Sequence, residues 1–232
     1  MILISTSIHL LFRVSERLDF KNTQCYGAPF CLPQFKKSTL PAISKRDHLV
    51  SKALKLFYQH GFNATGIDKI IAEAAISKKT LYNHFKSKDE LILATLRKRD
   101  ELFRNNVMRE TERLASTAKD RLLAIFDVHD TWFNSKEFSG CMFINASAEF
   151  ASQDDAKHIL CAEHKRLIRD YLKDLSEQAG AKDAQLLTQQ LSLLLEGAIV
   201  EAHVSNSTSA AILAKSMAAV FINQAITDNK TS

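Results

Sequence analysis

Six side chains able to bond phosphate oxygens or base edges fall within seven consecutive positions: Lys78, Lys79, Thr80, Tyr82, Asn83 and His84. Lysine suits the O6 and N7 atoms of guanine, asparagine suits adenine, and a threonine methyl packs against the methyl of thymine. Leu81 and Phe85 stand four residues apart in the same stretch. On a helix they turn to one side together, leaving Lys78, Lys79, Thr80 and Asn83 to project from the other. This chemistry fits a short helix that enters the major groove of DNA.

Such a helix needs a frame, and the flanking sequence supplies one. Ser44 can cap a helix that runs to about His60 and stops at Gly61, with Leu49, Ala53, Leu54, Leu56 and Phe57 as its inner stripe. Phe62 then packs under the turn. Thr65 can cap a second helix whose inner residues are Ile67, Ile70, Ile71 and Ala74. Ala75 and Ile76 form the break, and Ser77 caps the basic helix. Ser87 followed by Glu90 is a capping box that opens a fourth helix, carrying the charged RKRDELFRNN run to about Glu112. Alanine at the break predicts a turn that avoids strongly positive φ.

The order Thr65, Ile70, Ala74, Ile76, Ser77, Leu81, Tyr82, His84, Phe85 and Lys88, with Leu91 beyond, resembles the TetR family of one-component transcriptional regulators. The resemblance covers residues 44–91 without a gap, except that Ala75 stands where the family usually has glycine. It implies that Thr65, Tyr82, His84 and Lys88 contact the sugar-phosphate backbone, and that Ser77, Lys78, Lys79, Thr80 and Asn83 lie at or near base edges. It also implies a homodimer on a pseudo-palindromic operator in double-stranded DNA, a small-molecule effector, and release of the operator when that effector binds.

Charge and composition agree with this expectation. Residues 1–43 carry a net +3, residues 44–90 a net +4, and residues 91–232 a net −2, so basicity gathers where phosphate is expected. All three prolines precede residue 44 and hydrophobic residues make up 46% of the chain, which suits an all-α fold with a good core. Further helices are expected near residues 119–135, 141–152, 154–179, 183–205 and 208–228, nine in all. The expected organisation is an extension of little function or a basic arm at 1–43, a DNA-binding domain at 44–90, and a ligand-binding and dimerisation domain at 91–232. No apolar run reaches the roughly 18 residues of a membrane span. The four scattered cysteines form no disulfide pattern, which suggests the cytoplasm.

In the C-terminal part, aromatic residues interleave with polar ones. Phe126, His129, Phe133, Asn145, Glu149 and His164 are the expected lining of an effector site, since such sites combine apolar walls with a few polar anchors. Leu187, Leu191, Leu194, Leu195 and Ala198, with Ile212, Ala218, Ala219 and Phe221, are the expected dimer surface. His158, Cys161 and His164 recur every third residue, but steps of three drift around a helix and do not converge on a metal. No phosphate-binding glycine loop, nucleophile elbow or metal-protease motif is present, so no enzyme activity and no cofactor are expected. Two other readings are kept: a sensor of oxidants or electrophiles acting through Cys141, and an all-α small-molecule binding protein that does not use DNA.

The two kinds of contact separate by experiment. Tyr82→Phe or Lys88→Ala is expected to weaken binding to all DNA sequences alike and to flatten its salt dependence. Lys79→Ala or Asn83→Ala is expected to change which sequences are preferred, as measured by selection from a random pool. An unchanged preferred site in both of the latter variants contradicts this division of roles.

Overall fold

The computed structural model describes residues 44–226; the extension or arm expected at residues 1–43 lies outside them. The first ordered step is a cap. Ser44 accepts a hydrogen bond from the Asp47 N–H at 3.0 Å and opens α1 (Lys45–His60). Gly61 ends it at φ +80°, a backbone conformation that calls for glycine, and a Cβ there would lie 2.9 Å from a Glu149 oxygen, so the carboxylate would have to shift. Helices α2 (Ile67–Ala74) and α3 (Lys78–His84) follow, then α4 (Lys88–Leu114), which at 27 residues is about 40 Å long. The chain continues through α5 (Ala118–Phe133), α6 (Met142–Glu149), α7 (Ala156–Gln178), α8 (Ala184–Val204) and α9 (Ala210–Ala225). Among the described residues there are nine helices and no strand, and no helix is long and apolar enough to cross a membrane.

The start of the second helix differs from expectation. Gly66, not Thr65, occupies the cap position, and no side chain caps α2. Thr65 is fully buried, and its hydroxyl donates to the Gly61 carbonyl at 2.7 Å. The hydroxyl thus closes the loop between α1 and α2 from inside. The break after α2 also differs. Ala75 adopts φ 51° and ψ 45°, a left-handed conformation, and the Ile76 and Ala75 N–H groups bond back to the carbonyls of Ile71 and Ala72. This paired closure of the helix end outweighs the cost of placing a Cβ there.

Leu49, Ala53, Phe57, Phe62, Ile70, Leu81 and Phe85 form one continuous apolar interior beneath the first three helices, which Leu91 and Leu96 of α4 extend. Helix α4 packs against α1 on one side and against α5 and α7 on another. Helices α8 and α9 pack on each other, with α9 also against α5 and α8 also against α7. Of the residues expected at a dimer surface there, Leu187, Leu191, Leu195, Ala198 and Ala218 are buried in the core. Ile212, also expected there, is exposed at 59%, and other exposed apolar side chains on these two helices include Leu193 at 75%, Val204 at 73%, Leu213 at 59%, Val200, Met217 and Val220. Both helices are apolar on two sides, so periodicity marks a stripe without saying which side meets the core.

Ala75→Gly is expected to remove the Cβ penalty at the left-handed position and to stabilise the fold by about 1 kcal/mol. For a chain of this size that corresponds to a melting temperature higher by roughly 2–4 °C in calorimetry. A lower melting temperature contradicts the assigned turn.

Candidate functional site

The basic helix is seated from below and capped at its start. Ser77 Oγ accepts from the Thr80 N–H at 3.1 Å and lies 2.9 Å from Thr80 Oγ1, which places the two hydroxyls together at the N-terminus of α3. Leu81 is fully buried, whereas Lys78, Lys79, Tyr82 and Asn83 are exposed, Tyr82 at 46%. The Lys78 ammonium is 3.7 Å from Asp68, a loose and well-solvated pair. His84 is half-buried, and Lys88 donates one hydrogen bond to the Asn63 carbonyl at 3.4 Å. Thr65 does not share this surface. Its buried hydroxyl is spent on Gly61, so its side chain presents nothing to a phosphate.

The short helix α6 is strapped to this module at both ends. Just before it, the Tyr58 hydroxyl donates to the Gly140 carbonyl at 2.9 Å and accepts from the Ser139 N–H at 3.0 Å. At its last residue, the Glu149 carboxylate accepts from the N–H groups of Phe62 and Asn63 at 2.9 and 2.6 Å. Phe150 meets Phe62 edge to face, and the buried Lys157 ammonium reaches Asp89, near the start of α4, at 3.3 Å. The α6–α7 region therefore grips both the loop that leads into α2 and the beginning of α4.

A cavity of about 530 Å³ lies between α4 and α5. Its walls include Arg99, Leu102, Phe103, Val107, Val128, His129 and Trp132, with Glu110 and Arg113 further along α4. Of the six expected lining residues only His129 is among them. Phe126 and Phe133 are buried in the core, and Asn145 donates to the Ser139 carbonyl. Glu149 forms the strap, and His164 stacks on Phe143 while its Nδ1 donates to Asp100 at 2.8 Å. The residues that α4 contributes escaped notice because they sit within its charged run, where Phe103 and Leu102 break no visible pattern.

Asp100 feels opposing effects: burial raises its carboxyl, but hydrogen bonds from Arg104 and His164 outweigh that and hold it below the usual range. His129 is held neutral because burial lowers its pKa to about 4, against the raising effect of its bond to the Ile125 carbonyl. Burial likewise brings His164 down to about 4, outweighing the hydrogen bond with Asp100, whose charge Arg104 already offsets. Cys141 is buried, with the Lys165 ammonium 3.5 Å from its sulfur, and burial pushes the nearby Cys161 thiol up to about 12. No group of three potential metal ligands occurs among the described residues.

Residues 49–95 match the sequence model described as bacterial regulatory proteins, tetR family. The transcriptional activator FasR of Mycolicibacterium smegmatis is 36% identical over 85 residues, which are 37% of this chain and 38% of FasR, so the match spans well under half of that relative. The transcriptional repressor ComR of Escherichia coli is 26% identical over 176 residues, covering 70% of this chain and 81% of ComR. Among solved structures, a TetR-family transcriptional regulator from Streptomyces coelicolor superposes with a TM-score of 0.73 at 28% identity, over 78% of this chain and 95% of that one.

The buried histidines set a pH dependence. An unfolded histidine, with its ordinary value of 6.5, takes up a proton before these folded ones do. Between pH 6.5 and about 4 the unfolded chain binds more protons, so stability falls as pH falls through that window. Urea unfolding at pH 7, 5.5 and 4.5 is expected to show this decline, and His129→Asn is expected to make it shallower. A decline equally steep in the variant contradicts the assignment to His129.

Proposed function

Because this chain belongs to the TetR family of bacterial transcriptional regulators, we propose that it binds a pseudo-palindromic operator as a homodimer and releases it when a small molecule fills the cavity between α4 and α5. The observation that carries this reading is the connection of two surfaces through one helix. Lys88 is the first residue of α4, beside the basic helix, and the cavity residues Arg99, Phe103 and Val107 lie further along the same helix. On this reading, residues 44–90 hold DNA and residues 91–232 bind the effector and the second protomer. The exposed Lys79 and Asn83 meet base edges with Lys78, Ser77 and Thr80 beside them, while Tyr82, His84 and Lys88 hold the backbone. Action on the genome places the protein in the cytoplasm.

The dimer surface in this proposal is the exposed face of α8 and α9, not the stripe that faces the core. Leu193, Leu213 and Met217 line one apolar groove between α8 and α9, and Ile212 of α9 is exposed as well. Pairing two such helices with their copies buries this face and fixes the distance between the two basic helices, as recognition of two half-sites requires. Effector control then follows as a population shift. The ligand must bind more tightly to the conformer in which the basic helices no longer match successive grooves, since equal affinity for both shifts nothing.

The Lys165 ammonium beside Cys141 supports one other reading, in which an oxidant or electrophile attacks that thiol. Its burial argues against ready attack. Cys141→Ser separates the two readings: a small-molecule effector continues to release DNA from this variant, whereas a thiol-dependent response disappears.

Selection of bound fragments from the host genome is expected to return a pseudo-palindromic sequence. Recovery of no preferred sequence by the full chain contradicts operator recognition and favours a DNA-independent binding protein. Leu193→Glu is expected to give monomers in sedimentation equilibrium and to lower affinity for the selected fragment by roughly 100-fold or more, because two linked half-site contacts become one. A monomeric variant that binds DNA undiminished contradicts the role of this face.

A further inference from the structure

The cavity wall contains a cation with no counter-ion among the described residues. Glu110 is paired with both Arg113 and Arg109, at 2.7 and 3.0 Å, so the outer part of the wall is compensated. Asp100, one residue from Arg99, is engaged by both nitrogens of an Arg104 fork and by His164. Arg99 itself forms no ion pair or hydrogen bond among the described residues. Its guanidinium lies against three rings instead: Tyr58 at 4.6 Å, Phe103 at 5.6 Å and Trp132 at 5.9 Å. Ring faces attract a cation but accept little from its in-plane N–H groups, which remain available for a planar acceptor. His129 is neutral and adds no second charge.

We propose that the effector is a small aromatic carboxylate whose acid group is bound by Arg99. This rests on the reading of the cavity as the effector site and deepens it by naming the chemistry. The guanidinium fork matches a carboxylate in two parallel hydrogen bonds. Phe103 and Trp132 supply flat surfaces for an aromatic body, and Leu102, Val107 and Val128 supply the remaining apolar wall. A neutral molecule of the same shape leaves the guanidinium without an acceptor in a partly desolvated site. The geometry also connects binding to response. Arg99 rests on Tyr58, whose hydroxyl holds the backbone just before α6, so a carboxylate that draws Arg99 into the cavity acts on one of the two straps.

Trp132 is the chain's single tryptophan and lies in the cavity wall, so its fluorescence reports occupancy directly. The experiment titrates full-length protein with biphenyl-4-carboxylate and with biphenyl-4-carboxamide, following heat by calorimetry and location by Trp132 quenching. The acid is expected to bind roughly 10- to 100-fold more tightly than the amide in the wild type. Arg99→Met is expected to abolish that preference, and Arg99→Lys to keep part of it. Equal binding of acid and amide, a preference that survives in Arg99→Met, or no binding of either compound overturns the proposal. Anisotropy of a labelled operator fragment, measured in parallel, tests the underlying reading separately. Binding of the acid at Trp132 without DNA release supports the ligand class while contradicting the effector role.

Discussion

One carboxylate joins α6 to the loop that leads into α2. Glu149, the last residue of α6, accepts the backbone N–H groups of Phe62 and Asn63, which belong to the loop feeding α2 and the basic helix. Hydrogen bonds to an ionised acceptor are among the stronger ones available to a protein. They also fix direction, because both donors are backbone groups whose position defines the path of the loop. Gly61 fits this arrangement, since the carboxylate occupies the space that any larger residue would need. With Tyr58 holding the backbone ahead of α6, the eight-residue helix is attached to α1 and its following loop at both ends. A small displacement of α6 must therefore move that loop or break one of these contacts.

In the proposed mechanism the cavity exploits this. Its walls come from α4 and α5, and Arg99 belongs at once to the wall and to the ring of Tyr58. Helix α4 carries Lys88 at one end and the cavity residues in its middle, so a rotation or shift of α4 is felt by both. Packed interiors respond to such shifts by changing between discrete arrangements, not by continuous deformation. The proposed release of DNA thus requires two conformers, one with the straps closed and the basic helices spaced for DNA, and one favoured by the filled cavity.

Much of the frame was legible because local chemistry writes it plainly. Ser44, Ser77 and Ser87 cap helices where expected, Ser87 with Glu90 three residues on, and Gly61 stops α1 as its position implied. The exposed Lys79 and Asn83 opposite a buried Leu81 follow from helical periodicity alone. What escaped depends on contacts distant in sequence. Glu149 reads as a polar anchor among aromatics, and only the fold brings it to Phe62, 87 residues away. Thr65 reads as a cap, yet the loop turns its hydroxyl inward. Ala75 shows that two backbone hydrogen bonds can impose a left-handed turn on a residue that resists it. In α8 and α9 the core-facing stripe is the more regular one, so regularity pointed away from the exposed face.

Amide hydrogen exchange at Phe62 and Asn63 tests the joint most directly, comparing free protein with protein saturated by biphenyl-4-carboxylate as judged by Trp132. Faster exchange at these two amides in the loaded state, with little change in the buried middle of α1, is the result the account predicts. Unchanged exchange at both, in a loaded protein that has lost its hold on DNA, would contradict it and place the connection elsewhere.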